Sequence, residues 1–233
     1  MQSLNTDFTR RVVMHTAEMD WQASPSPTVW RKRLDLIDGE FSRVTSVVRY
    51  APDSSFHTHG HPAGEEILVL EGVFSDEHGD YPAGSYLLNP KGFRHTPFSR
   101  EGCVLFVKLC QYGGDGRDKI AVDTGAEPWM AGDRPGQEVL PLYSDIAWPE
   151  TMCLERLAPG TALPRDVAPG GKEVFVLEGR LEDEDGSYGP GSWLRLPPGE
   201  GHAPRSDEGC TYYVKRGHLS DMVSDGQGRA AGR

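Results

Sequence analysis

Three histidines alternate in the stretch His57-Thr58-His59-Gly60-His61, and two glutamates, Glu65 and Glu66, follow within five residues. Imidazole nitrogens combined with a carboxylate suit Zn, Fe, Mn, Ni or Cu, whereas Ca and Mg prefer shells built of oxygen. Residues two apart on a strand face the same side, so neighbouring members of this series can aim at one point. Which of them hold a metal depends on the elements that carry them.

Those elements occur twice. The segment 69–97, VLEGVFSDEHGDYPAGSYLLNPKGFRHTP, returns at 176–204 as VLEGRLEDEDGSYGPGSWLRLPPGEGHAP, at a constant offset of 107 residues. Between Ala51–Lys108 and Ala158–Lys215, 26 of 58 aligned positions are identical, which makes the chain a duplication rather than one large unit. A fainter echo links Thr16…Trp21 to Thr124…Trp129, and the glycine- and aspartate-rich stretch 112–118 reads as the linker. Short runs rich in Val, Leu, Ile and Phe, such as EILVLEGVF and EVFVLEGRL, lead into Asp-Glu-x-Gly turns, and CVLFVKL and CTYYVKR are further strands. No long amphipathic helix interrupts them. The pattern predicts an all-β fold of two tandem jelly-roll domains, 1–112 and 113–218, followed by a disordered tail at 219–233.

Bulk composition narrows the partners. A formal net charge of −11 argues against binding to nucleic acid or to an anionic membrane surface. The one dense basic stretch, Arg31-Lys32-Arg33-Leu34-Asp35, reads as the solvated surface of a strand or turn. No apolar run approaches the roughly 18 residues of a membrane span, and the N-terminus lacks the pattern of a signal peptide, so a cytoplasmic location is expected. Cys103, Cys110, Cys153 and Cys210 form no Cys-x-x-Cys pair and are expected to be reduced, buried small hydrophobes. A small-molecule ligand or a protein partner, a second copy of the chain included, fits this composition.

Around the histidines the residues resemble the cupin superfamily, the jelly-roll fold whose two motifs read Gly-x5-His-x-His-x(3–4)-Glu-x6-Gly and Gly-x5-Pro-x-Gly-x2-His-x3-Asn. His59, His61, Glu65 and Gly72 match the first motif, with Asp53 in place of its opening glycine; Gly84, Pro90, Gly92 and His95 match the second, with Ser99 in place of its asparagine. The resemblance implies that His59, His61, Glu65 and His95 bind one divalent transition metal. Glu65 would return its carboxylate across the Pro62-Ala63-Gly64 turn, and His95 would close the set from another strand. Pairing His57 with His59 instead would require a glutamate at 63 or 64, where alanine and glycine stand. His57 is therefore assigned to the pocket mouth or to a place behind the ligands. Glu66, of opposite strand parity to Glu65 and repeated as Glu173, is assigned a structural role.

In the second copy His59, His61 and Glu65 become Asp166, Ala168 and Lys172, and His202 alone persists opposite His95. No metal is expected there; the second domain is left a scaffold, an interface or a metal-free pocket. Lys108 and its repeat Lys215 are expected to lie along apolar strands with their heads in water. Tyr81, Tyr86 and Lys108 flank the motif, but no catalytic residue can be named.

The stretch from His61 to Cys103 further resembles ChrR-like cupins, the family that includes the C-terminal domain of ChrR anti-sigma factors and is similar to acetylacetone-cleaving dioxygenases. The resemblance implies a zinc-binding module for sensing or small-molecule binding, with Fe, Mn or Ni as alternative metals. The alternative activity is that of a non-haem dioxygenase acting on a diketone or similar small acid. Acetylacetone-cleaving enzymes use three histidines without the glutamate, so Glu65 favours the zinc reading. ChrR anti-sigma factors clasp their partner with a helical domain carrying a His-x3-Cys-x2-Cys motif. That motif is missing here, so direct sigma-factor binding is not expected.

Overall fold

A computed structural model of the protein describes residues 3–38 and 42–224. Nearly all regular structure is β, arranged as two cupin-type jelly rolls of matching topology. By contact, one compact unit comprises 3–6 and 19–126, and the other 7–18 and 127–224.

In the first unit the main antiparallel sheet runs Ile120–Asp123, Ser85–Asn89, Glu65–Asp76, Cys103–Leu109, Arg43–Tyr50, Val29–Ile37 and Gln22–Ala23. The long strand Glu65–Asp76 belongs to both layers. Its first half pairs with Ser85–Asn89 and Cys103–Leu109, and its second half pairs with Gly79–Pro82. Alternation sorts its side chains: Ile67 and Val69 enter a core with Val29, Val48, Phe74, Leu87, Leu105 and Val107. Gly72 is required where the strand turns between layers, because a Cβ there would sit 2.0 Å from the Gly102 carbonyl oxygen. Its repeat Gly179 meets Gly209 at the same distance.

The second unit repeats this order with Val12–His15, Ser192–Leu196, Lys172–Gly179, Cys210–Arg216, Thr151–Leu157, Gln137–Ser144 and Met130–Ala131. The fainter sequence echo finds its explanation here. Thr124 donates its backbone N–H to Gly84 and Thr16 donates to Gly191, each beside the strand that completes one of the two sheets. A boundary at 112/113 thus separates the sequence repeats. The compact units differ from it by the segments 7–18 and 113–126.

Asp53 has φ of 54° where the cupin motif carries glycine, and its repeat Gly160 has φ of 76°. Aspartate is among the few residues that tolerate the left-handed region, so the substitution keeps the turn. Ser99 also keeps its place: its hydroxyl donates to the Val73 carbonyl at 2.6 Å, as Ser206 does to Arg180. The tail expected to be disordered is ordered at its start. Ser220–Ser224 is a short helix, Leu219 and Met222 are buried, and the Leu219 N–H donates to Gly170. The rest of that expectation, 225–233, lies outside the described residues.

Candidate metal centre

His59–His61 pairs antiparallel with Phe93–His95, and His95 stands directly across from His59. Alternation sends Gly60 outward and buries His61, so three imidazoles converge. One nitrogen from each of His59, His61 and His95 lies within 4.8 Å of the others, and the Nε2 atoms of His61 and His95 are 3.0 Å apart. Ligand nitrogens about 2.1 Å from one metal are separated by about 3.0–3.4 Å in octahedral or tetrahedral arrangement, so this spacing fits a shared cation.

Glu65 arrives across the expected turn. Gly64 takes φ of 74° and donates its N–H to the His61 carbonyl, and the carboxylate that follows is buried. Its Oε2 lies 3.4 Å from His61 Nε2 and 3.6 Å from His95 Nε2, and accepts from Asn89 Nδ2 at 3.0 Å. Burial pushes the Glu65 carboxyl up to about 7, against the pull of His95 and Asn89. Burial and the neighbouring His95 and His59 hold His61 down at about 3. A neutral imidazole next to a buried carboxylate whose charge is only partly compensated is the environment that a divalent cation would relieve.

Two outer contacts aim the ring nitrogens. His59 Nδ1 meets the His57 carbonyl oxygen at 2.9 Å, and His95 Nδ1 meets Asp76 Oδ2 at 3.2 Å, leaving each Nε2 toward the cluster. Burial works against the charge on Asp76, but the hydrogen bond with His95 and the His78 N–H prevails and lowers its pKa. Asp76 belongs to the Asp-Glu-x-Gly turn, whose Glu77 also holds the Thr96 N–H at 2.7 Å. Asp76 and Asn89 were not identified from the sequence. The repeat carried a signal for the first, since Asp183 persists beside His202.

The remaining expectations sort by strand face. The His57 ring is exposed and stacks on Phe56 with centroids 4.7 Å apart, so its carbonyl rather than its imidazole serves the site. Glu66 is buried on the opposite sheet face and accepts from the Tyr86 hydroxyl at 3.0 Å, a structural role as expected. Lys108 corrects the expectation of a head in water. It is fully buried across from Glu66, and its Nζ donates to Thr45 Oγ1 at 3.2 Å. Lys215 is likewise fully buried. Tyr81 stacks on Phe74 with centroids 6.2 Å apart. Tyr81, Tyr86 and Lys108 are not among the residues lining the cavity.

His59, His61, His95 and Glu65 line a cavity of about 270 Å³ whose apolar walls include Val48, Ile67, Leu105 and Val107. Tyr50, Cys110, Arg31 and Arg33 line it as well. The basic stretch lies on the strand Val29–Ile37, one of its two expected placements, but is less solvated than expected: Leu34 and Asp35 are buried, and the partly buried Arg31 and Arg33 line the pocket. The four cysteines are free, with Cys103 and Cys210 buried and Cys110 and Cys153 partly so.

In the second unit a side chain occupies the corresponding place. Lys172 Nζ lies 2.5 Å from Asp166 Oδ2 and 2.9 Å from His202 Nε2, while His202 Nδ1 meets Asp183 Oδ2 at 3.0 Å. Arg216 joins Glu155 at 2.7 Å and Asp166 at 3.1 Å.

Comparison with known proteins agrees with the fold. The ChrR Cupin-like domain matches residues 9–113 and again 117–220. No curated protein is similar enough in sequence to count as a relative. Among solved structures, a protein of Nostoc punctiforme provisionally named a dioxygenase is similar with a TM-score of 0.75 and 19% identity, over 91% of this chain and 84% of that one. Escherichia coli pirin YhhW in complex with nickel(II) is similar at 0.67 and 12%, over 89% and 98%. A protein of Pseudomonas aeruginosa provisionally named glyoxylate-induced gives 0.71 and 13%, over 93% and 91%. At these identities the likeness establishes the fold. Among the described residues no helix is long and apolar enough to cross a membrane.

Proposed function

Because the chain belongs to the ChrR cupin-like domain family, we propose that its first unit holds one divalent transition metal, zinc foremost, and that the protein is a metal-dependent sensor or regulatory protein that binds a small molecule. The observation that carries this reading is the cluster of His59, His61 and His95, with Glu65 alongside, in the lining of a cavity. A purely structural zinc site is closed by its protein ligands, whereas a site facing a cavity can accept a further donor. When bound, the metal supplies a Lewis-acid position for an oxygen donor of the ligand. His59, His61, His95 and Glu65 hold it, the His57 carbonyl and Asp76 fix the imidazoles, and the apolar walls keep water from competing.

A second reading, a non-haem iron dioxygenase acting on a diketone or small acid, draws on the three-histidine cluster and the likeness to the Nostoc protein. Elemental analysis of protein purified without added metal, followed by oxygen-uptake assays on the iron-loaded form with diketones, separates the two. One zinc per chain and no oxygen consumption support the sensor. Oxygen consumption that requires iron moves the assignment to the enzyme, and a chain that takes up no metal overturns both.

A further inference from the structure

We infer that Arg31 is the anion anchor of the first unit's cavity, and that the ligand is a small organic monocarboxylate whose carboxylate it holds within the cavity that the histidine cluster also lines. This rests on the proposed small-molecule role of that pocket and adds the chemical class of the molecule.

The strand Val29–Ile37 alternates strictly before its bulge. Arg31 stands across from Val48 and Arg33 from Ser46, and these four residues all line the cavity. Lys32, between them, lies over the Trp21 ring at 4.5 Å on the opposite face. The two arginines differ in their partners. Arg33 donates to the neutral Gln22 amide at 2.6 Å. Among the described residues, the charged and titratable groups that interact with Arg31 are Arg33, of like sign, the Tyr50 hydroxyl and the His59 imidazole, while burial disfavours its charge. Among the described residues the nearby carboxylates are engaged elsewhere: Glu65 with His61, His95 and Asn89, and Asp76 with His95. A guanidinium facing apolar walls without a carboxylate is costly, and an anionic ligand would offset that cost. Its planar fork is suited to a carboxylate, held by two parallel hydrogen bonds.

The second unit provides an internal control. The counterpart of Val48 is Glu155, and the residue across from it, where Arg31 would be, is Val139. The cations that enter this region, Lys172 and Arg216, each have a carboxylate from their own unit, Asp166 or Glu155. Among the described residues, the copy without the histidine cluster also has no arginine in the place of Arg31. The shape of the first cavity sets the rest of the ligand. At about 270 Å³ the cavity has room for a small organic acid, since a single water needs only about 10–15 Å³ of such space. Val48, Leu105 and Val107 call for an aliphatic body.

A branched 2-oxo acid, 3-methyl-2-oxobutanoate, and its neutral isostere 3-methyl-2-oxobutanamide serve as probes, titrated calorimetrically into the full chain with zinc and after chelator treatment. The zinc-loaded protein should bind the acid at least about tenfold more tightly than the amide. Arg31→Met should abolish that preference while keeping its zinc and its melting temperature, and Arg31→Lys should retain part of it. Tyr50→Phe should weaken the acid by a smaller factor. Equal binding of acid and amide to the wild-type chain, no binding of the acid, or an unchanged preference in Arg31→Met would each overturn the inference. The two readings can fail separately. A chain that takes up no metal but still prefers the acid through Arg31 loses the metal proposal only; a zinc-loaded chain with no preference loses the anchor only.

Discussion

Where the first unit gathers His59, His61, Glu65 and His95, the second places Asp166, Ala168, Lys172 and His202 on the same framework. Both retain the Asp-Glu turn, the aspartate behind the remaining histidine and the glycine at the crossing between layers. They differ in how the centre is charged. The first collects three imidazoles and one buried carboxylate whose charge is only partly compensated, an arrangement suited to a cation. The second carries its own cation, because the Lys172 ammonium reaches both Asp166 and His202. The framework thus constrains where a positive charge is needed, not whether a metal or a side chain provides it.

The strongest way to break this comparison is to remove donors. His61→Ala or His95→Ala should take zinc from one equivalent per chain to near zero, a loss beyond the roughly 10–100-fold that removing an outer partner costs. His57→Ala should leave the zinc in place, since only its backbone carbonyl supports the site. Elemental analysis of the three variants decides. Loss of zinc in His57→Ala alone would reassign the ligand pair, and two zinc ions in the wild-type chain would remove the distinction between the units.

A finer test uses the aspartates that the units share. Asp76→Asn keeps the size of the side chain but removes the charge behind His95, and should weaken zinc affinity about 10–100-fold by competition with a chelating dye. Asp183→Asn, in the equivalent place, should leave zinc affinity unchanged and lower the stability of the chain instead. There the carboxylate joins His202, Tyr188 and Arg11 at distances of 2.6–3.0 Å. Equal effects of the two variants on zinc would mean that Asp76 acts on the fold rather than on the imidazole.

The convergence of His59 and His61 was legible because strand alternation is local, and local spacing is what a sequence displays; His95, 34 residues beyond His61, was placed only by the resemblance to the cupin motif. The 107-residue repeat likewise revealed two sheets before any coordinate. Asp76 escaped because its partner His95 is 19 residues away, on another layer, though its survival as Asp183 beside His202 was a readable hint. Arg31 and Arg33 were misread because a cluster of charges usually marks a surface; here the alternation that exposes Lys32 to Trp21 turns its neighbours inward. Lys108 was misread for a related reason. Both faces of its strand are buried, so a polar residue on the face away from the pocket is buried too. The exchange of the segments 7–18 and 113–126 between sequence halves and compact units is a long-range pairing that repeat boundaries do not report.

The smallest expected effect concerns the built-in cation. Burial raises the Asp166 carboxyl, but Lys172 and Arg216 outweigh it and bring its pKa from the ordinary 3.8 to about 2. A carboxyl held below its unfolded value stabilises the fold fully above about pH 4, and the contribution disappears as pH falls through its folded value. Because its side chain is 37% exposed, solvent screening limits that contribution to under about 1 kcal/mol. Asp166→Asn should therefore unfold at slightly lower urea than the wild-type chain at pH 6, and the gap should close between pH 4 and pH 2. Chelator should leave the gap unchanged, since the lysine that sustains it cannot be extracted. A gap that stays constant from pH 6 to pH 2 would show that Asp166 acts by hydrogen bonding or packing. A gap that depends on chelator would show that the second unit, too, relies on a metal.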